Sequence, residues 1–97
     1  MTRLLRKYRD RVFIVKDLIL ELTEYERLSR TALYGYCQLN LKSHHSILDE
    51  LESNGLVTTT KIMRGKKLTN MYMVTSEGIS FYKNILDPYE KLFPRDR

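Results

Sequence analysis

The most regular hydrophobic pattern of the chain lies between Asn40 and Gly55. Asn40 is suited to cap a helix, because its side-chain oxygen accepts a hydrogen bond from a first-turn amide, and Asn54-Gly55 provides a left-handed stop. The residues that share one helical face are Leu41, His44, Ile47, Leu48 and Leu51. The opposite, polar face carries Lys42, Ser43, His45, Ser46, Asp49 and Glu50. The pattern predicts a helix over residues 41–53 that packs with one face and leaves the other free for a partner.

A second apolar stripe begins at Asp10 and ends at Leu22. The residues that recur every three or four positions are Val12, Val15, Ile19 and Leu22, and the stripe is widened by Phe13, Ile14 and Leu18. This spacing predicts an amphipathic helix with a broad buried face. The stripe extends back through Tyr8 to Leu4 or Leu5, for which the domain offers no evident partner.

A short helix is expected between these two segments. Residues 24–28 form a polar connection, and Ser29 is suited to cap a helix over about residues 30–37. With the helix that follows, it forms a helix-turn-helix arrangement. Tyr34 and Tyr36 on this helix are either half-buried with a solvated hydroxyl or available to a partner. Cys37, the only cysteine, is interpreted as a small core residue.

A β-hairpin is predicted after the second helix of this arrangement. Residues 57–62 and 68–74 are rich in β-branched and apolar side chains, and residues 63–67 form a basic loop that contains glycine. Thr75 is then suited to cap a C-terminal helix. Pro88 breaks or kinks that helix unless Asp87 caps a new one.

The order of these elements predicts one α+β domain. Residues 9–75 form the domain itself, with a basic extension before it, a C-terminal helix over 76–93 and a tail over 94–97. The expected core residues are Leu18, Ile19, Leu22, Leu33, Leu48, Leu51, Leu56, Tyr72 and Val74.

Composition adds limits to this picture. The chain has 97 residues, of which 42% are hydrophobic and 30% charged, and this suits a single compact domain. No apolar run approaches the roughly 20 residues of a membrane-spanning helix, and Leu4-Leu5 is too short for a signal-peptide core. We therefore expect a cytoplasmic protein without a membrane partner.

The net charge of +5 is unevenly distributed. Residues 1–16 hold six cations and one carboxylate, whereas residues 17–28 carry a net charge of −3. Residues 55–75 carry four cations and no carboxylate, namely Lys61, Arg64, Lys66 and Lys67. Two basic blocks around an acidic middle favour a polyanionic partner. The basic loop could also be a solvated turn, and the first block a solvated helix face or arm.

Catalytic chemistry is not indicated by the sequence. It contains no glycine-rich phosphate loop, no set of metal ligands and no carboxylate pair with a spacing typical of acid-base catalysis. His44 and His45 point about 100° apart on a helix, so they do not readily bind one metal ion together with Cys37. We expect no enzyme activity, no metal, no cofactor and no small-molecule ligand.

Three segments in this order resemble the winged helix-turn-helix proteins, in particular small stand-alone winged-helix proteins of archaea. They are the helical run over residues 11–22, the capped helix with its Gly-Leu ending over 39–57, and the junction Tyr72-Met73-Val74-Thr75-Ser76-Glu77-Gly78. The resemblance covers residues 9–86. It implies a winged-helix fold with a two-stranded wing and binding to double-stranded DNA, as a transcriptional regulator or a chromatin-associated, nucleoid protein.

The resemblance also implies which residues contact DNA. The exposed face of the helix over 41–53 would enter the major groove with Lys42, Ser43, His45, Ser46 and Asp49, and the wing would contact backbone or minor groove with Lys61, Arg64, Lys66 and Lys67. That helix has Lys42 as its firm cation and acids at Asp49, Glu50 and Glu52. These acids favour the alternative, a winged-helix adaptor between proteins, whereas the basic hairpin favours DNA.

The apolar stripes at both ends of the chain predict a homodimer. They exceed what one small domain needs to cover its core, and the expected interface residues are Leu4, Leu5, Tyr8, Ile79, Tyr82, Ile85, Leu86, Tyr89, Leu92 and Phe93. The alternative is that the C-terminal helix folds back on the first helix of its own chain.

Overall fold

The structure is a computed structural model, and it describes residues 11–95. The elements are α1 (Arg11–Glu24), β1 (Leu28–Ser29), α2 (Arg30–Tyr36), α3 (Leu41–Ser53), β2 (Val57–Arg64), β3 (Lys67–Val74), α4 (Ser76–Phe81), a π-helical turn (Tyr82–Leu86) and α5 (Asp87–Leu92). The expectations for Leu4, Leu5, Tyr8 and the start of the basic extension lie outside the described residues.

The predicted helix caps are confirmed. The side chain of Ser29 accepts a hydrogen bond from the Ala32 amide, and that of Asn40 accepts from the amides of residues 42 and 43. At the other end of α3, Gly55 adopts a φ of +77°. The amide of Leu56 then bonds to the carbonyl of Leu51, and the amide of Gly55 to that of residue 52. These two hydrogen bonds end the helix in the left-handed stop that the Asn-Gly pair predicts.

The sheet has three antiparallel strands in the order β1-β3-β2, whereas the sequence predicts a two-stranded wing. β1 pairs Leu28 with Tyr72 and Ser29 with Met71. A strand of two residues is too short to show a periodicity in the sequence. It forms because β3, more than forty positions away in the chain, pairs with it.

The hairpin turn is shorter than the predicted loop over 63–67. Met63 pairs with Leu68 and Arg64 with Lys67, so the turn consists of Gly65 and Lys66 alone. Gly65 has a φ of +67°, which is typical of the first central residue of a type II′ turn. The strands therefore continue to the tip of the wing.

The predicted core is confirmed. Seven of its nine residues are buried, and Leu56 and Val74 are half-buried against the same cluster. Cys37 is buried, as predicted. The further buried residues include Phe13, Tyr34, Ile47, Val57 and Leu86.

The C-terminal helix, defined as residues 76–92, continues through Pro88 instead of breaking there. The Asp87 amide bonds to the carbonyl of Tyr82, five residues earlier. This π-helical turn lies directly before Pro88, where an ordinary α-helical turn would bring the proline ring against a preceding carbonyl. The helix accommodates the proline by widening one turn.

Candidate nucleic-acid interface

The first half of α3 presents most of the polar side chains that the resemblance assigns to DNA. Lys42, Ser43, His45 and Ser46 are all exposed, and they share one broad arc of the helix. The amides of Lys42 and Ser43 are already bound by Asn40 at 2.8 and 3.3 Å. The side chains of this arc are therefore held at a capped, fixed helix end.

The course of α3 is interrupted at His44, whose backbone angles (φ −123°, ψ 16°) are not helical. The Tyr34 hydroxyl donates a hydrogen bond to the His44 carbonyl at 2.5 Å. Burial raises the pKa of Tyr34, and a hydrogen bond from the Leu48 backbone amide to the same oxygen partly offsets this. The hydroxyl therefore lies against the backbone of residues 44 and 48, one turn apart, at the point where α3 departs from helical angles. An inserted side chain of this kind kinks a helix.

This position of Tyr34 differs from both sequence interpretations. The side chain is 1% exposed, so its hydroxyl is neither solvated nor available to a partner. Tyr36, in contrast, is 53% exposed and stacks on Tyr25, with ring centroids 4.9 Å apart. His44 itself is half-buried, and its Nδ1 lies 3.3 Å from the Asn40 carbonyl.

A second side chain of α2, Arg30, also binds α3, and no sequence signal identified it. Its guanidinium donates to the His45 carbonyl at 2.7 Å, to Asp49 Oδ1 at 2.7 Å and to the Tyr72 hydroxyl at 2.9 Å. Burial lowers the pKa of Arg30, but the bonds to Asp49 and Tyr72 outweigh it, and the net pKa is raised. Arg30 therefore joins α2, α3 and β3 at the candidate interface.

The three acids of α3 all have partners within the chain. Asp49 pairs with Arg30, Glu50 pairs with Arg11, and Glu52 accepts a hydrogen bond from Thr59 at 2.9 Å. The two ion pairs offset their negative charge locally. Asp49, which the resemblance assigns to DNA, is thus engaged by Arg30.

The wing carries its cations at and near its tip. Lys61, Arg64, Lys66 and Lys67 are exposed, and no acid occurs between residues 55 and 75. Because Arg64 and Lys67 form the last rung before the turn, three of the four charges lie within four consecutive residues.

The C-terminal helix folds back on α1, which the sequence analysis gave as the alternative to a dimer interface. Lys16 is 8% exposed, and its Nζ lies 2.7 Å from Glu90 and 3.3 Å from Asp87. Burial lowers the Lys16 pKa, but the bonds to both carboxylates outweigh it and raise the net pKa. The same ammonium lowers the pKa of Asp87 and of Glu90. This charge cluster, of which Lys16 is buried and the two carboxylates are partly exposed, holds α5 to α1.

Arg95, which the sequence places in a free tail, also contacts α1. Its guanidinium forms two bonds with the Asp17 carboxylate, at 2.6 and 3.1 Å. It also lies over the Phe13 ring, 4.9 Å from the centroid. Nε lies 2.9 Å from Glu90 Oε2, in an ion pair whose angles do not suit a hydrogen bond.

The predicted dimer residues of the C-terminal helix fall into two groups. Leu86 is 2% exposed, Ile79 and Tyr82 are half-buried, and the Tyr89 ring packs edge-on against Phe13. The other three point away from the domain: Ile85, Leu92 and Phe93 are 51%, 75% and 58% exposed. The chain itself therefore covers much of the stripe and leaves a smaller apolar surface.

Residues 11–95 were searched for membrane-spanning helices and for clusters of metal ligands. None of the helices in this part of the chain is long and apolar enough to cross a membrane. Within the same range, His, Cys, Asp and Glu side chains form no group of three that could hold a metal ion.

Comparison with known proteins agrees with this architecture. A solved structure of a transcriptional regulator from Clostridium thermocellum has a similar fold, with a TM-score of 0.72 and 18% sequence identity over 86% of this chain and 91% of that one. The comparison with curated proteins gave no significant match. The family model described as winged helix-turn-helix matches residues 8–92. The chain therefore belongs to the winged helix-turn-helix family.

Proposed function

We propose that this protein binds double-stranded DNA and acts as a transcriptional regulator on the nucleoid. α3 enters the major groove, and the wing lies against the phosphate backbone or the minor groove. The observation that carries the proposal is the exposed polar arc of α3 in the same domain as a hairpin with four cations and no acid. Family membership supports it.

The side chains of the α3 arc suit base edges. Lys42 offers an ammonium to guanine or to a phosphate, while Ser43 and Ser46 are short enough for close approach to either bases or backbone. His45 adds a ring nitrogen in the same arc. Because a single lysine supplies the charge of this arc, most of the electrostatic attraction comes from the wing.

The partners of the α3 acids weaken the adaptor alternative. That alternative relies on a negatively charged face for another protein, yet Asp49 and Glu50 are ion-paired with Arg30 and Arg11. Both acids also lie after the polar arc, toward the C-terminal end of α3. The proposed DNA surface therefore uses Lys42, Ser43, His45 and Ser46, and leaves Asp49 to Arg30.

A fluorescence titration of random duplex at several salt concentrations tests the proposal. Replacing Arg64, Lys66 and Lys67 by alanine should weaken binding on every sequence and reduce the salt slope by about 0.9 for each phosphate that the variant no longer neutralises. The control is Arg27→Ala with Lys83→Ala, which removes two exposed cations outside the wing and is compared with the wing variant per cation removed. Absence of duplex binding at low salt would refute the proposal.

The α3 arc is tested by sequence preference. Lys42→Ala or His45→Ala should change the ranking of duplexes in a selection from a random pool, because base contacts carry the discrimination. A ranking identical to that of the wild type for both variants would remove α3 from the recognition of sequence and favour the adaptor alternative.

We also propose a homodimer that pairs through the exposed apolar surface of the C-terminal helix. Ile85, Leu92 and Phe93 supply this surface, and a two-fold pair would place two copies of α3 on one duplex. Light scattering at micromolar concentration should give twice the mass of one chain. Ile85→Lys with Leu92→Lys should give the monomer, since both residues are exposed and the fold does not depend on them. A wild-type mass of one chain would refute the dimer.

A further inference from the structure

Two apolar side chains stand exposed among the cations of the wing. Met63 is 61% and Leu68 is 63% exposed, and they face each other across the hairpin as one rung of the ladder. Cross-strand neighbours on one face lie close together, so the two side chains form a single apolar patch. An isolated exposed leucine needs no explanation, but a paired patch at the tip of a projecting ribbon does.

The patch lies on the face of the wing that continues the domain's inner surface. Alternation along the strands places the Met63–Leu68 rung on the same face as the Thr59–Tyr72 rung. Thr59 on that face bonds to Glu52 of α3. The patch therefore lies on the side of the sheet against which α3, the proposed DNA-binding helix, packs.

The cations around the patch identify what it meets. Arg64, Lys66 and Lys67 follow directly at the tip, and Lys61 lies two positions before Met63 on the same strand. A groove of DNA has the complementary arrangement, with phosphates along both rims and apolar base faces accessible where a step opens. An apolar protein partner would meet an apolar patch without needing four surrounding cations.

The wing is slender at its tip. It contains Gly65 and Lys66 alone, and the ladder is complete up to Arg64 and Lys67. A two-residue turn adds no loop beyond the last rung. The minor groove of B-DNA is only about 6 Å wide, so entry requires both a slender element and local opening of the groove.

We propose that Met63 and Leu68 form an apolar wedge that enters the minor groove, partly unstacks one base step and bends the duplex. The proposal rests on the DNA binding proposed above. Proteins that insert such wedges bend DNA by about 20–90° and offset the cost of unstacking with the contacts that the bend permits. The cations of the wing hold the phosphates beside the wedge.

Bending and binding are measured together with a duplex that carries a donor and an acceptor dye at its two ends. Wild-type protein should raise the energy transfer as it binds. Met63→Ala with Leu68→Ala should abolish that rise and weaken binding about tenfold, with an unchanged salt slope because no charge is removed. The matched control is Ile62→Ala with Thr69→Ala, the neighbouring rung on the opposite face, which should keep the bend.

A second variant separates a wedge from simple electrostatic attachment. Met63→Lys with Leu68→Lys adds two cations, so it should bind with a steeper salt slope and yet produce no bend. Thermal unfolding of each variant checks the fold, which substitutions at the exposed Met63 and Leu68 should leave unchanged.

The outcomes distinguish the wedge from DNA binding itself. Wild-type binding without a bend, or an undiminished bend in either Met63/Leu68 variant, overturns the wedge and leaves the proposed function intact. If the wild-type protein binds no duplex, both proposals fail.

Discussion

Replacing Tyr34 by phenylalanine tests how α3 obtains its shape. The Tyr34 hydroxyl donates to the His44 carbonyl and accepts from the Leu48 amide, and we infer that it takes the place of the helical hydrogen bond between these two residues. Phenylalanine keeps the buried ring and removes this single oxygen. We expect residues 44 and 48 to bond directly and α3 to straighten at His44.

The expected cost follows from the bonds exchanged. Two hydrogen bonds are removed and one is regained, at a net value of about 1 kcal/mol each, so the free energy of unfolding should fall by about 1 kcal/mol. If the helix could not straighten, a buried carbonyl and a buried amide would both remain unpaired. That outcome would cost about 2–6 kcal/mol in total, at about 1–3 kcal/mol for each group.

Urea denaturation followed by circular dichroism gives the free energy, and amide hydrogen exchange at Leu48 reports the new bond. Tyr36→Phe is the matched control, because Tyr36 lies on the same helix and is 53% exposed; it should change neither quantity. Unchanged stability in Tyr34→Phe, together with unchanged backbone shifts over residues 44–48, would refute the inserted hydroxyl. In DNA titrations the variant should alter sequence preference while the salt slope stays the same, because the first turn of α3 is re-aimed and every cation is kept.

Three other expectations follow from contacts around the core. Lys16→Met leaves Glu90 without its ammonium partner; because that carboxylate is partly exposed, stability should fall by about 1–3 kcal/mol, below the range for fully buried pairs, and urea denaturation measures it. The pKa of Glu90 is lowered from its ordinary 4.5 in the folded chain, so the contribution of its charge to stability is present above pH 4.5 and disappears as the pH falls through the folded value. Below pH 4.5, the free energy of unfolding should therefore decline more steeply in the wild type than in Lys16→Met. Equal slopes would contradict the ion pair. Gly78→Ala would place a Cβ 2.2 Å from the Leu56 carbonyl oxygen, and this overlap with backbone should cost at least about 1–3 kcal/mol and lower the melting temperature, whereas Gly35→Ala, where nothing lies within 4 Å, should not.

The sequence by itself determined the elements whose causes are local. Asn40 and Ser29 cap helices because their own side chains reach amides two or three residues away, and Gly55 ends α3 because its backbone tolerates a positive φ. Apolar spacing identified the buried face of α1, because the helical period is also a local property of the sequence. The order of these elements predicted one α+β domain, and the resemblance of three segments to winged helix-turn-helix proteins implied the winged-helix fold.

The tertiary structure alone decided the features that depend on distant residues. β1 exists because β3 pairs with it, and α3 bends because Tyr34 reaches it from another helix. Arg95 is held by Asp17 across 78 positions of sequence, although its own segment has no helical or strand pattern.

The same distinction applies to the candidate interface. The sequence identified the exposed arc of α3 and the cations of the wing, because exposure and charge follow from composition and period. It could not tell that Arg30 and Arg11 pair with Asp49 and Glu50. When only the sequence is considered, those acids argue against DNA binding, but their cationic partners offset their charge in the folded chain. The sequence cannot show this, because an ion pair depends on the distance between atoms that only the folded chain brings together.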